Sequence, residues 1–503
     1  MIASLLMVGA LATTLDADLR AIAAVGGEPS RVSAAGVTRD EAPILTLENA
    51  DAFDPAATRR RLVLVGGLDG DTRSADAVIG AVRWFKSRAR SAIRREWTIS
   101  ALPSAQFDAN DKQSLARWVT FQAPDLVVTV GGRWDALKGV PFKSIDGPDA
   151  IAALQKILSA SVGRSPLHEE LVARARREPL AIAQVLARRY PEAPSISYIP
   201  AVAWTQTLRL AAITNDVSLR EKVRQQIQPW MSGERKLFGD RIQLTSVAGT
   251  MIFADLATAG DNSALALADE AVPLAAARKA SGIAEYSQGW TDDMFMATSV
   301  LARASRRPDH RVELDAASRL LVDYAARLQQ SSGLFNHASD APAAWGRGNG
   351  FAAFGLIEAL TVMPADYPSR STLLDIYRRQ MEAVRAQQAP DGAWREIIDE
   401  PGAYREETAT AMLMTAMARG IRLGWLDRSY RSVVERAWRA LAAHVVDDGT
   451  LIDVCASTGG GTTKRYYFDR PAITGADDRG GAMALYAAME MHALANSGQS
   501  SRQ

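Results

Sequence analysis

Gln288-Gly289-Trp290-Thr291-Asp292-Asp293-Met294-Phe295-Met296 changes character half-way along, from a polar turn carrying glycine to an apolar run. Before it, Asn262 to Ala280 repeats apolar residues at i, i+3, i+4 and i+7, and after it Asp293 to Ala304 does the same. The stretch therefore reads as a turn joining two amphipathic helices. The unit recurs upstream over Ala201 to Ile213, Leu219 to Met231 and Leu244 to Ala259. Downstream it continues over Val312 to Gln330, Gly348 to Val362, Ser371 to Gln387, Thr408 to Leu423, Ser429 to Val446 and Gly480 to Ala495. Glycine, aspartate and tryptophan mark the joining segments Asp340 to Gly350 and Asp391-Gly392-Ala393-Trp394, and Asp448-Gly449 forms a further turn. Eleven helices without a strand-like segment predict an all-α domain over residues 200–497. Helical hairpins with aromatic loops gathered at one end predict a closed toroid, an (α/α)6 barrel whose funnel those loops line.

Residues 30–199 follow another rule. Pro43 to Leu47, Arg61 to Val65, Glu96 to Leu102 and Asp125 to Val130 are short strand-like runs, and Ser74 to Ser91 is an amphipathic helix between two of them. That alternation predicts an N-terminal α/β layered domain and makes the chain multidomain. The turn Gly66-Gly67-Leu68-Asp69-Gly70 sits at the strand edge where such sheets place ligands, but it lacks the Lys-Ser/Thr of a P-loop and the dinucleotide glycine spacing. Residues 1–29 form an N-terminal segment, and 498–503 a tail. The apolar run Ile2 to Val8 ahead of Ala10-Leu11-Ala12 has the form of an export signal, although no basic residue precedes Arg20. It predicts a periplasmic or secreted protein; without export the chain would be cytoplasmic. The run is far too short to span a bilayer.

With 503 residues, 48% of them apolar, the chain can fill two cores. Fifty-eight Lys and Arg balance 57 Asp and Glu, so no overall field gathers nucleic acid or a membrane surface. An anionic substrate would be met by local arginines. One cysteine and five scattered histidines offer neither a disulfide framework nor metal-ligand spacing, and no cofactor is expected.

Gly36-Val37-Thr38, Pro43-Ile44-Leu45 and Val63-Leu64-Val65-Gly66-Gly67-Leu68-Asp69-Gly70-Asp71-Thr72 resemble the opening strand and metal loop of M14-type zinc carboxypeptidases. That family's His and Glu are replaced by Asp69 and Thr72, and Gly131 stands where another His is expected. The resemblance thus implies a degenerate domain without its zinc. In the helical part, Trp290-Thr291-Asp292-Asp293-Met294-Phe295-Met296 and Trp345-Gly346-Arg347-Gly348-Asn349-Gly350 resemble signatures of the unsaturated glycuronyl hydrolases, glycoside hydrolase families 88 and 105. Gly333-Leu334-Phe335-Asn336-His337, Asp340, Gln388 to Trp394, Glu407 to Met412, Val454-Cys455, Thr458-Gly459 and Tyr466-Tyr467 follow the same family's order.

The resemblance implies an oligosaccharide substrate ending in a 4,5-unsaturated uronate. Hydrating its C4=C5 bond needs a proton at C4 and water at C5, work one carboxyl can do as acid and then as base. Asp292 is the candidate; its structural alternative is an N-cap for the following helix. Arg347 suits a uronate carboxylate through its paired donors. Trp290 and Trp345 could stack on a sugar ring, His337 could bind the carboxylate or assist Asp292, and Asn349 completes the substrate-binding set.

Families 88 and 105 usually carry a second aspartate on an earlier helix, where Leu244-Thr245-Ser246-Val247-Ala248-Gly249-Thr250 has no acid. Asp240 and Glu407 are the candidates for a second carboxylate, Glu407 reading equally as helix-start chemistry. Two other readings stand beside the leading one: a two-carboxylate hydrolase of saturated uronosides, and a carbohydrate-binding protein without catalysis.

Overall fold

The computed structural model describes residues 14–26, 30–50, 52–68, 70, 72–107, 112–134, 137–307 and 311–497. The export-signal run, Asp69, Asp71 and the 498–503 tail lie outside the described residues. The chain divides into two compact units. One comprises residues 1–176 with 389–395 and 399–405, the other 177–388 with 396–398 and 406–503.

The first unit is built on a six-stranded sheet: β1 Ser30–Val37, β2 Pro43–Asn49, β3 Arg60–Val65, β4 Trp97–Leu102, β5 Leu126–Val130 and β6 Phe142–Ile145, in the order β1-β2-β4-β3-β5-β6. β4, β3, β5 and β6 run parallel, while β1 and β2 add an antiparallel edge. Parallel strands are covered on both faces, which is why β3 is apolar without a break from Leu62 to Val65 and β5 from Leu126 to Val128. Leu62, Leu64, Val128 and Val130 face a core shared with Val78, Val82 and Phe85 of the Thr72–Ser87 helix, whereas Val63, Val65 and Val127 face Leu115, Trp118 and Val119. The α/β layering expected for this part is therefore present.

The second unit is an α/α barrel that also carries, against the expectation of a strand-free domain, a two-stranded antiparallel sheet of Leu451–Cys455 and Ala472–Gly475. Among the described residues its inner ring is Tyr198–Thr214, the broken helix Leu244–Gly249 and Met251–Thr258, Asp292–Ala304, Gly346–Val362, Glu407–Arg422 and Asp478–Ser497. Each packs on the next and the last returns to the first, closing the ring. Pro179–Arg189, Val217–Met231, Leu265–Ala276, Arg311–Leu328, Arg370–Ala386 and Arg431–His444 alternate with them outside. Burial separates the two sets. The Gly346–Val362 helix is buried on every side through Leu360, whereas the Arg370–Ala386 helix buries one stripe only. An inner helix has neighbours all round, and an outer one faces water.

The structure moves the domain boundary from residue 199 to 176, because Pro179–Arg189 packs against Tyr198–Thr214 and Asp478–Ser497 as a barrel helix. It adds a twelfth member to the eleven expected from the sequence, where its eleven residues were hidden beside the α/β alternation. Gly249 shows how tightly the inner ring closes. A Cβ there would stand 2.5 Å from the backbone nitrogen of Ser197. The acid-free stretch from Leu244 is thus a packed inner helix, with Leu244, Val247 and Ala248 buried.

Candidate active site

Asp292 is the first residue of its helix, and Thr291 occupies the N-cap position without a side-chain capping bond. The backbone N–H of Thr291 donates to the carbonyl of His337 (3.0 Å), which ties the turn to the loop before Gly346–Val362. The neighbouring carboxylate holds the turn from beneath: Asp293 Oδ2 accepts from Ser287 Oγ (2.6 Å), Gly289 N–H (3.0 Å) and Tyr324 OH (2.6 Å). Burial pushes Asp293 up to about 7 against the Ser287 and Tyr324 bonds, with the charge of Asp292 adding to the rise. Asp293 is a brace, which frees Asp292 for other work.

Asp292 Oδ2 is buried 3.4 Å from Nε2 of His337, and neither atom makes a hydrogen bond among the described residues. The imidazole sits between aromatic rings, with centroids 5.2 Å from Trp290, 4.5 Å from Trp345 and 5.8 Å from Tyr467. Its other nitrogen, Nδ1, lies 2.8 Å from the Tyr467 hydroxyl. Buried polar atoms normally find partners, so two left facing each other mark a place where a further group belongs.

Arg347 lies on the first turn of Gly346–Val362, its guanidinium 5.0 Å above the Trp345 ring. Nη1 donates to the Cys455 carbonyl (2.9 Å) and Thr408 Oγ1 (3.2 Å), 4.0 Å from the Glu406 carboxylate; Nε and Nη2 make no hydrogen bond among the described residues. Burial works against its charge, but Cys455 and Glu406 more than offset that, and the guanidinium is held above its ordinary range. Gly348 lets this helix start close to Asp292, since a Cβ there would stand 2.7 Å from Thr291 Oγ1.

Two further carboxylates stand behind the aromatic wall. Glu406 caps Glu407–Arg422, accepting from Thr408 N–H (3.1 Å) and Ala409 N–H (2.6 Å), and also accepts from Cys455 N–H (2.9 Å). Glu396 Oε1 accepts from Trp345 Nε1 (3.0 Å) and the Cys455 thiol (3.2 Å), while Oε2 is buried without a hydrogen bond among the described residues. Burial, reinforced by the charge of Glu406, pushes Glu396 up to about 8. Glu396 therefore holds its proton more tightly than an ordinary carboxyl.

A family model described as Glycosyl Hydrolase Family 88 matches residues 180–495 of the chain. The chain belongs to glycosyl hydrolase family 88. Among curated relatives, an unsaturated 3S-rhamnoglycuronyl hydrolase of Alteromonas sp. (strain LOR) is 29% identical over 32% of this chain and 42% of its own length. The unsaturated rhamnogalacturonyl hydrolase YesR of Bacillus subtilis (strain 168) is 28% identical over 35% of this chain and 52% of its own. The chain spans about half the length of these relatives. A family 105 glycoside hydrolase of C. acetobutylicum ATCC 824 superposes with a TM-score of 0.56 at 18% identity, over 62% of this chain and 98% of that one. A family 88 glycosyl hydrolase from Bacteroides vulgatus gives 0.52 at 19%, over 63% and 98%. At these identities the likeness shows the barrel fold.

In this family 88 barrel the residues expected from sequence separate into groups. Asp292, His337, Trp290, Trp345 and Arg347 converge. Trp345 is only 2% exposed and packs against both His337 and Arg347, so it forms wall rather than an open sugar platform; Trp290, partly exposed, keeps surface for that role. Asn349 is fully buried and spends its amide on the backbone. Its Oδ1 accepts from Phe335 N–H (2.8 Å), and Nδ2 donates to the carbonyls of Phe335 (2.9 Å) and Trp345 (3.0 Å). It shapes the loop and has no amide group left for a substrate. Asp240 is exposed on the connection between Val217–Met231 and Leu244–Gly249. Glu407, 1% exposed, lies 3.8 Å from Nδ1 of His444 in the barrel wall, and the helix-start role expected of it falls to Glu406 one residue earlier.

Glu396, Glu406, Tyr198 and Arg479 were not singled out by the sequence. Arg479 donates to the carbonyls of Cys455 (3.0 Å) and Ala456. Tyr198 is buried, which raises its phenol above the ordinary value; the charges of Arg347 and Arg479 oppose that rise and that of Asp292 adds to it. The N-terminal ends of Tyr198–Thr214, Asp292–Ala304, Gly346–Val362, Glu407–Arg422 and Asp478–Ser497 thus meet here. Helix N-termini favour anions.

Proposed function

We propose that this family 88 chain removes a 4,5-unsaturated uronic acid from the non-reducing end of lyase-generated oligosaccharides. The observation that carries the reading is the unbonded pair Asp292 Oδ2 and His337 Nε2, 3.4 Å apart and walled by Trp290 and Trp345, with Arg347 above the same Trp345 ring. The names of the relatives, hydrolases of unsaturated rhamnoglycuronyl and rhamnogalacturonyl units, support the substrate class.

In this reading Arg347 and the convergent helix N-termini receive the uronate carboxylate. Asp292 gives its proton to C4 of the enol ether. As a carboxylate it then takes a proton from the water whose oxygen bonds to C5. The C5 hemiketal opens by breaking its bond to the ring oxygen, leaving a C5 ketone and a hemiacetal at C1 that expels the aglycone alcohol. One carboxyl serves both proton transfers, which accords with an inner helix from Leu244 that carries no acid.

The test is incubation with a panel of Δ4,5-uronide disaccharides while following the ultraviolet absorbance of the conjugated double bond. Loss of absorbance together with release of the aglycone sugar is expected. Release of uronic acid from saturated uronosides with the absorbance of the unsaturated panel unchanged would overturn the reading.

A further inference from the structure

The glycine run Gly459-Gly460-Gly461 and the pair Tyr466-Tyr467 have no part in the chemistry above, yet they build one structure behind His337. Gly459 N–H donates to Tyr466 OH (2.9 Å), and Gly461 N–H donates to Tyr467 OH (3.1 Å). A Cβ on Gly461 would stand inside the Tyr466 ring, and one on Gly460 would lie 3.2 Å from Trp290 Nε1. At 461 only glycine brings its amide to the Tyr467 phenol beside the Tyr466 ring, whereas a Cβ on Gly459 would meet the Tyr466 hydroxyl at 3.4 Å, an ordinary contact.

The bond from Gly461 decides the direction of the next one. A phenol oxygen accepts freely but has a single proton to give. Tyr467 is fully buried, its oxygen already accepts from Gly461, and the acceptor within reach among the described residues is Nδ1 of His337 at 2.8 Å. Were Nδ1 protonated instead, the Tyr467 proton would be buried without an acceptor, which costs about 1–3 kcal/mol. A neutral imidazole that accepts at Nδ1 carries its hydrogen on Nε2. That hydrogen lies toward Asp292 Oδ2, 3.4 Å away.

We propose that Tyr467 is a positioning residue that sets the tautomer of His337, so that Nε2–H faces Asp292 Oδ2 and leaves the transferable proton of Asp292 on Oδ1. The geometry of Asp292 accords with this division. Oδ2 is the buried oxygen, and 16% of the side chain stays exposed. An Nε2–H directed at Oδ2 across 3.4 Å favours negative charge on that oxygen and so steadies the carboxylate left after proton transfer. The alternative tautomer would set a lone pair against Oδ2, where only the acid proton could bridge the gap, and would turn that proton away from the substrate. The inference rests on the proposed function for its catalytic meaning, but the tautomer is a property of the protein alone.

Full-length protein labelled with 15N-histidine shows five imidazoles, and His337→Gln assigns the signals that belong to position 337. At pH 7 the wild type is expected to show the neutral Nε2–H form in long-range 1H–15N correlation. Tyr467→Phe is expected to shift His337 toward a mixture of tautomers and to lower kcat by about 10-fold or more, with KM changed by less than about threefold. A wild-type His337 that is Nδ1–H or doubly protonated overturns the proposal, as does a Tyr467→Phe variant with unchanged tautomer and kcat. If the variant does not fold, the wild-type spectrum decides by itself. Because that spectrum needs no substrate, an Nε2–H result beside inactivity on all Δ4,5-uronides sinks the uronide reading and leaves the tautomer assignment standing.

Discussion

At the N-terminal ends of the inner helices, Asp292, His337 and Glu396 present buried polar atoms that make no hydrogen bond among the described residues. Further along the same helices, charges, most of them as buried, are spent on one another. Arg303 pairs with Glu358 (2.8 Å) and Asp255 (3.0 Å), Arg419 with Glu358 (3.3 Å) and Glu490 (2.9 Å), and Arg209 with Glu490 (2.7 Å). Arg303 and Arg419 also fall in the last turns of their helices, where the dipole favours a cation. Two fully buried glutamates show what the difference does. Burial opposes the charge of Glu358, but Arg303 and Arg419 overcome it and hold the group down to about 2. Glu396 meets burial plus the charge of Glu406 and is pushed up to about 8. Burial alone therefore says nothing about role; the sign of the neighbours separates a clasp from a site.

Asp292→Asn should break the open end without touching the closed one. Activity on unsaturated uronides should fall by about 10³-fold while the melting temperature stays level. Retained turnover would remove Asp292 from the chemistry and the contrast with it.

Glu358→Ala should do the reverse. Leaving Arg303 and Arg419 facing a vacated buried place should cost about 3–5 kcal/mol in urea unfolding, with the specific activity of the folded fraction preserved. Because the folded Glu358 lies below its unfolded value of 4.5, its contribution is present above that pH and is lost as pH falls toward about 2. The acid limb of the stability profile should flatten in the variant. An unchanged limb would mean the cluster is not a clasp.

The smallest effect sharpens the comparison through Glu396→Gln. A carboxyl raised from 4.5 to about 8 in the folded state contributes fully below 4.5 and loses that contribution as pH rises through about 8. Wild type should therefore weaken relative to the variant, by about 2 kcal/mol between about pH 5.5 and pH 7. Parallel stability profiles for the two proteins would show that Glu396 is ionised throughout.

Much of this architecture was legible. The helical period between Ala201 and Ala495 marked the barrel helices to within a few residues, because an inner or outer helix must keep an apolar stripe whatever its neighbours. The broken helix at Thr250 and the 3-10 turn Asn262–Ala264 were less legible, since the apolar period runs through both. At the site, the turn before Met294 and the loop before Gly350 pointed to Asp292, Trp290, His337, Trp345 and Arg347, which the fold brings together. The same loop pointed to Asn349, whose amide turned out to bind backbone. Asn has the same letters whether it faces a sugar or a carbonyl.

By itself the sequence determined the α/β alternation, the helical hairpins of the barrel and the place of Asp292 at a turn before a helix, all of which depend on local periodicity or contiguous motifs. Only the tertiary structure decided that Pro179–Arg189 completes the outer ring, that burial and Glu406 push Glu396 up while Arg303 and Arg419 hold Glu358 down, and that Tyr467 stands behind His337. Those outcomes depend on residues of different loops and helices meeting in a medium of low dielectric, where a single neighbouring charge or proton sets the state of a group.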